Sequence, residues 1–529
     1  MYVGSVEGAK ALQGKATHVI DLGGRFVMPG LVDEHVHPVM GGLKELFQCN
    51  FAFTATPDDI SKALGACAAK APEGAWIRGG QWGSGFFDQY KLESPKGFLD
   101  HITASHPIAL IDDSGHNAWV NSAALKAAGL SAATPNPEGG TIGRGDNGEP
   151  NGVLLETAAR ILDTVIPQWS DEQVVAAARA AAHIANAYGI TSIKDAGAPF
   201  DQSGMAFDQL DKAGELTLNV AICARTPYGG RSVPLDYAEI ERQRSQYRSA
   251  HVHTEFVKFF LDGVPTPART AAMLDPYVAD TEHGADFRGN LHFDAALLAR
   301  DVTELDRRGF TVKMHATGDG SVHAALDAIE AARKANGNSG NHHEIAHAGF
   351  VAQDDIARFA RLDAIPDFAP FLWFPSSIIL AVKAAVGERG EHYWPTRSLL
   401  DAGALIAAGS DWPAAVPDEN PWVGIEALVT RQDPRHETPG TLWKEQAITL
   451  PEALRIFTFN GARALRLEGQ TGSLEKGKSA DLIVLDRNVF RVPIGEVGAT
   501  KVQMTLFEGR VVYQAPAASP PAAAAQHGG

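Results

Sequence analysis

Two histidines one residue apart, His35-Val-His37, follow the apolar run Met28-Pro-Gly-Leu-Val-Asp-Glu34. On an extended strand residues i and i+2 face the same side, so both imidazoles can reach one metal ion. Taken alone, the pair reads equally well as two packing or solvated histidines. Further donors give it weight, because they close later apolar runs: Lys258 lies in 255–262, His315 ends 310–315, His347 ends 344–347 and Asp411 ends 404–411. Histidine and carboxylate donors suit zinc by default, and manganese or iron could occupy the same shell. Such an ion lowers the pKa of water towards about 7 and supplies hydroxide near neutrality. The chemistry expected of such a centre is attack of metal-activated water on a polarised substrate. Asp411 also reads as a helix N-cap ahead of Trp412-Pro413.

For these residues to meet, the runs that carry them must be neighbours. Short β-branched or apolar runs occur at 27–37, 189–195, 218–224, 255–262, 310–315, 344–347, 364–368 and 404–411, and from about residue 172 helical patterns alternate with them. The helical patterns at 171–188 and 300–308 are stopped by Gly189 and Gly309. Eight such units predict an α/β protein with a TIM-type (β/α)8 barrel, whose site is built at the C-terminal ends of the strands. His315 and His347 are then one unit apart and Asp411 two units further on, leaving the seventh strand without a ligand. Thr449-Leu-Pro-Glu452 is a capping box opening a helix to about Leu467.

Spacing also sorts the other histidines. His251-Val-His253 repeats the first pair but precedes its strand, and His342 and His343 precede the sixth, so all four are expected to be structural or solvent-facing. His183 and His323 fall on helical stretches and read as surface residues. Lys194 and Lys313 lie on strands and compete with Lys258.

Between the first and second strands, about residues 50–160 form an insertion rich in Gly, Pro, Trp and Asn that is expected to shape the substrate pocket. Candidate substrate contacts are Trp82, His116, Phe371 and Trp412. Trp119, Trp373 and Phe374 complete an aromatic set that reads equally as lid or core packing. Residues 472–515 read as strands of a small β domain, and 515–529 as a flexible Pro/Ala-rich tail.

The chain has 529 residues, 45% of them hydrophobic and 21% charged, a balance that supports a large buried core. A formal net charge of −17 argues against nucleic-acid or anionic-membrane partners and for a small molecule. Cys49, Cys67 and Cys223 show no paired spacing, so no disulfide is expected. That, with the lack of an apolar leader or an apolar run long enough to span, points to a cytoplasmic protein. A homo-oligomer is compatible with these features.

The set HxH, Lys, His, His and Asp on strands one, four, five, six and eight resembles the amidohydrolase superfamily. Within it the chain is similar to the amidohydrolase-3 group, which includes YtcJ-like proteins and N-substituted formamide deformylases. The matching segments are Met28-Pro-Gly-Leu-Val-Asp-Glu-His-Val-His-Pro38, His116-Asn-Ala-Trp-Val-Asn-Ser-Ala-Ala-Leu125, Val257-Lys-Phe-Phe-Leu-Asp-Gly263, His315-Ala-Thr-Gly-Asp319, Gly409-Ser-Asp-Trp-Pro413 and Gly472-Ser-Leu-Glu-Lys-Gly-Lys-Ser-Ala-Asp-Leu482. The resemblance implies one or two metals held by His35, His37, Lys258, His315, His347 and Asp411, with Lys258 carboxylated so that a carbamate bridges the ions. It implies hydrolysis of a non-peptide C–N bond in a small amide such as an N-substituted formamide, by attack on a polarised carbonyl with Asp411 as the catalytic residue that carries the proton to the departing amine. The alternatives are a cyclic-amide hydrolase or a heterocycle aminohydrolase, and, in a different class, a non-catalytic barrel. It also implies a barrel over 28–470 and a β-sandwich-like small domain made of 1–27 and 471–514. Family members usually have further N-terminal strands, and they place an acidic residue just before the sixth-strand histidine. Here Ala346 holds that place and Glu344 lies three back.

Overall fold

The computed structural model describes residues 2–83, 85–197, 200–226, 235–280, 283–414 and 416–516. All of the proposed tail but its first two residues therefore lies outside the described residues. Eight parallel strands form one sheet in the order Ala407–Ala408, Ile365–Phe368, Glu344–His347, Thr311–Ala316, Val252–Phe260, Asn219–Arg225, Ile190–Asp195 and Leu31–Val36. The two outer strands of that order meet: the Asp411 amide donates to the His35 carbonyl at 2.6 Å, and the Ser410 amide to Asp33 Oδ1 at 3.0 Å. The sheet thus closes as the (β/α)8 barrel that the eight runs predict. Gly409 sits at this seam, where a Cβ would stand 2.1 Å from the His35 nitrogen, so only glycine lets the first and eighth strands approach.

Helices between the strands bury one apolar face each and are capped as their sequences demand. Asp171–Ala187 starts at Ser170 with a full capping box to Gln173. Ala295–Arg307 starts five residues earlier than its apolar pattern suggests, because Asp294 accepts from the amides of Ala296 and Leu297. Leu450–Arg455 continues through a wider turn, Ile456–Asn460, into Gly461–Ala464, close to the expected end.

His343 is fully buried, so it is structural. Its Nε2 lies 3.0 Å from Asp306, which also accepts from Arg333, Asn336, Ser339 and Asn341. Burial alone would raise the Asp306 pKa, but these donors together hold it well below the usual carboxylate range. His251 pairs with Asp211, His342 with Asp363 and exposed His323 with Asp355, and none of these residues lines the pocket that the donors share.

The small β domain is one four-stranded antiparallel sheet in which Val27–Pro29 lies beside Leu482–Leu485, followed by Val502–Phe507 and Arg510–Gln514. The N-terminal segment contributes that single strand. The preceding residues hold a short helix, Val6–Lys10, with no buried side chain.

The insertion is a folded unit in its own right. Six strands, Cys49–Asn50, Ile77–Trp82, Ile108–Asp112, Ala118–Val120, Pro150–Glu156 and Gly140–Arg144, make a mixed sheet in that order. One face packs Ile60, Leu64, Leu99, Ile108 and Trp119, and the other Val120, Leu125, Ile142, Leu154 and Leu162. Within it Cys49 and Cys67 are joined by a disulfide, their Cα atoms 6.1 Å apart, which corrects the expectation of unpaired cysteines. The reason is tertiary: helix Pro57–Ala68 folds back and returns the chain to the strand that carries Cys49. Cys223 is free and buried in the barrel. No helix among the described residues is long and apolar enough to cross a membrane.

Candidate metal centre and its pocket

The six donor candidates converge. His35, His37, Lys258, His315, His347 and Asp411 all line one pocket at the C-terminal mouth of the barrel. One ligand atom each from His35, His37 and Asp411 lies within 4.8 Å of the others. Asp411 Oδ1 is 3.5 Å from His35 Nε2 and 3.3 Å from His37 Nε2. The His35 ring stands 4.9 Å from that of His347, which stands 4.5 Å from that of His315. Asp411 and His347 hold positive φ values, 61° and 69°, a conformation that non-glycine residues keep where the surrounding structure demands it.

The electrostatics suit a cation. Burial first, and then the charge of Lys258 or a neighbouring imidazole, holds His35, His315 and His347 well below the usual imidazole range, so their lone pairs are available. His35 Nδ1 lies 2.6 Å from Asp367 Oδ2 on the seventh strand, which turns Nε2 towards His37 and Asp411. A donor set of imidazoles and one carboxylate, oriented from behind by a buried acid, fits a divalent ion.

The three competing lysines separate by their partners. Lys194 pairs with Glu34 at 2.5 Å and with Glu344. Lys313 pairs with Glu34 at 2.6 Å, Glu344 at 3.1 Å and Asp367 at 2.6 Å. Burial opposes charge on both, yet the carboxylates outweigh it and raise both pKa values, that of Lys313 well above its ordinary value. Lys258 instead faces His35 Nε2 at 3.3 Å, and burial followed by the Lys313 charge brings it down to about 8. Glu344, three residues before His347, is thus spent on Lys194 and Lys313, while Asp367 makes the contact to a candidate ligand. No periodicity distinguishes Asp367 in the sequence, because a buried strand carries apolar neighbours on both sides whatever its acid does.

Asp367→Asn is expected to lower metal affinity by about 10–100-fold, as loss of an outer partner of a ligand histidine does. Metal titration against a chelator, with circular dichroism to confirm an intact barrel, checks it. An unchanged affinity would remove Asp367 from the orienting role.

From the insertion, the turn after Ile108–Asp112 brings Asp113, Ser114 and His116 to the same pocket. Asp112 builds the turn, accepting from Ser114 Oγ, the amides of His116 and Asn117, and Asn117 Nδ2. Asn117 is therefore a scaffold residue. His116 Nδ1 lies 2.9 Å from Glu156 Oε2, and the His116 ring is 5.3 Å from that of His315. Burial works against charge on His116, but Glu156 and then Asp112 outweigh it and raise its pKa. Glu156 is held in turn by the Thr270 hydroxyl at 2.6 Å, so the insertion is tied to the loop after the fourth strand.

Three aromatic candidates do not line this pocket. Trp82 is buried in the insertion core against Phe87 and Trp119. Phe371 is buried near Phe457. Trp412 packs onto Gly41, where a Cβ would clash with its ring at 2.0 Å. Proximity to a strand end in sequence places a residue near the mouth, but the next peptide's direction decides whether it turns inward. The apolar wall is formed instead by Phe260, Val264, Ile378, Val382, Tyr393 and Trp394.

Comparisons with known proteins agree with this architecture. The model of a family described as "Amidohydrolase family" matches residues 18–513. The Arabidopsis thaliana protein LONG AFTER FAR-RED 3 is 30% identical over 97% of this chain and 86% of its own length. An N-substituted formamide deformylase from Arthrobacter pascens is 28% identical over 94% of this chain and 90% of its own. Among solved structures, an uncharacterized metal-dependent hydrolase from Pyrococcus horikoshii OT3 superposes with a TM-score of 0.71 at 23% identity, covering 94% of this chain and 93% of that one.

Proposed function

Since the chain belongs to the amidohydrolase family, we propose that it hydrolyses an acyclic amide of the N-substituted formamide or aromatic amide type. The observation that carries the reading is the convergence of His35, His37 and Asp411 donor atoms within 4.8 Å, in a pocket that also presents His315, His347 and Lys258. His35, His37 and Asp411 would hold one divalent ion, by default zinc, and His315 and His347 a second, and Lys258, as a carbamate, would add a further oxygen ligand. Bound there, such an ion supplies Lewis acidity and activates water.

The chain's own groups do the rest. Asp411, at the mouth with its side chain 18% exposed, accepts the proton of the attacking water through Oδ1 and delivers it to the departing nitrogen as the C–N bond breaks. His116, anchored through Nδ1 by Glu156, presents its other ring edge to the bound amide. The apolar wall excludes water from the acyl carbon and takes the substituent. The formamide class is supported by the similarity to the Arthrobacter pascens deformylase across most of both chains.

Metal content by plasma mass spectrometry and formate release from a panel of aromatic N-substituted formamides test this together. One or two ions per chain with formate and free amine is the expected result. Ammonia release, or a single ring-opened product from a cyclic amide, would replace the formamide reading. A chain that stays metal-free after reconstitution with zinc or manganese and bicarbonate would overturn it altogether.

A further inference from the structure

Beside the donor-lined pocket lies a second cavity, and two residues, Asp113 and Ile378, line both. Asp113 comes from the insertion's turn, while Ile378 belongs to helix Ser377–Val386 beyond the seventh strand. The second cavity is otherwise walled by the insertion, by the rings of Phe53, Phe86 and Tyr90, by Gly85, and by the polar side chains of Thr54 and Gln89. Phe86 is buried and backed by the Trp119 ring at 5.5 Å and the Tyr90 ring at 4.9 Å, so its face of the cavity is a supported aromatic surface. Phe53 and Tyr90 are half-buried and Gln89 is exposed, which leaves the far end open to water.

We infer that the two cavities form one extended binding site, in which an apolar, ring-bearing arm of the substrate passes between Asp113 and Ile378 and rests on Phe53, Phe86 and Tyr90. This rests on the amide-hydrolase reading for what occupies the first cavity and adds the class of the arm in the second. The shape argues for it: the catalytic cavity is apolar on the Ile378 side, and the adjoining space continues that wall with aromatic rings. Rings favour a flat apolar group, which gains burial and edge or offset stacking without needing a charged partner. The insertion then has two tasks, bringing His116 to the reacting amide and building the bed for the arm.

Gly85 offers a direct test. A Cβ there meets nothing within 4 Å and its φ is −90°, so a large side chain can enter the cavity without backbone strain. Gly85→Trp is compared with wild type on the metal-loaded full chain in two ways. In the first, kcat/KM is measured for N-(4-phenylbutyl)formamide and N-methylformamide, and the ratio between them is expected to fall by about ten-fold or more, the worth of burying an aromatic ring. In the second, binding of 4-phenylbutylamine is followed by calorimetry, and its Kd is expected to rise by a similar factor. Ile378→Trp, which narrows the passage from the opposite wall, has to give the same loss, so a folding defect in one variant does not decide the matter. If neither formamide is turned over, the formamide reading fails while calorimetry still judges the arm site. A wild type that does not bind the amine, or variants that bind it as wild type does, would overturn the extended site.

Discussion

Asp411→Asn is expected to retain most of the bound metal yet lose activity by about 10²–10⁴-fold in kcat, the usual contribution of a positioned proton carrier. Asparagine keeps the size of the side chain and one oxygen near His35 and His37, whose Nε2 atoms lie 3.5 and 3.3 Å from Asp411 Oδ1. It cannot accept and return a proton. Because the loss falls on a step after binding, KM is expected to change little, and kcat and kcat/KM to fall together. Asp411→Ala removes the oxygen as well, so its metal content is expected to drop further than that of the asparagine variant. Stopped assays with metal analysis of the same samples separate the two roles. An asparagine variant within about ten-fold of wild type would remove Asp411 from proton transfer and leave it a ligand only.

Lys258→Ala is expected to cost metal affinity by about 100-fold or more, at or beyond the upper end of what losing an outer partner costs. The reasoning starts from its surroundings. Carboxylation needs a neutral amine, and burial together with Lys313 brings Lys258 to about 8, whereas Lys194 and Lys313 are held charged by Glu34 and Glu344. Only Lys258 of the three reaches His35 Nε2, at 3.3 Å. Removing it opens a space among neutral imidazoles that a small carboxylic acid can enter, so added propionate is expected to restore part of the lost metal binding in Lys258→Ala and to do nothing for wild type. Metal stoichiometry by plasma mass spectrometry, with and without propionate, reads this out. Full metal content in the alanine variant would make Lys258 an ordinary buried amine and leave the ions to the histidines and Asp411.

Most of the barrel was legible because its signals are local. A strand of five or six residues ended by a donor, and a helix ended by glycine, are written within a dozen neighbouring positions, and the eight runs reappear as eight paired strands. The metal-centre candidates were legible for the same reason, since His35 and His37 share a strand face and the others end strands that must converge. Less legible was the insertion, which the sequence marks only as a Gly-, Pro-, Trp- and Asn-rich departure from the repeat and which folds into a six-stranded sheet with its own core. Pro150–Glu156, for example, alternates in burial along its length but not in residue type, so no apolar period marks it. The misplacement of Trp82, Phe371 and Trp412 has a similar origin, because a large ring near a strand end packs wherever a glycine or another ring makes room, as Gly41 does for Trp412.

By itself the amino-acid order determined which donors the chain possesses, that they stand at or near the ends of five of the eight strand runs, and hence that a metal-assisted hydrolysis is within its chemistry. Which lysine stays uncompensated, which acid orients His35, which cysteines join and which rings line the pocket were decided only by the tertiary structure. Each of those depends on burial and on partners far along the chain, such as Asp367 behind His35 or Glu344 beneath Lys194. Periodicity is a property of neighbours in sequence, whereas desolvation and charge pairing are properties of neighbours in space.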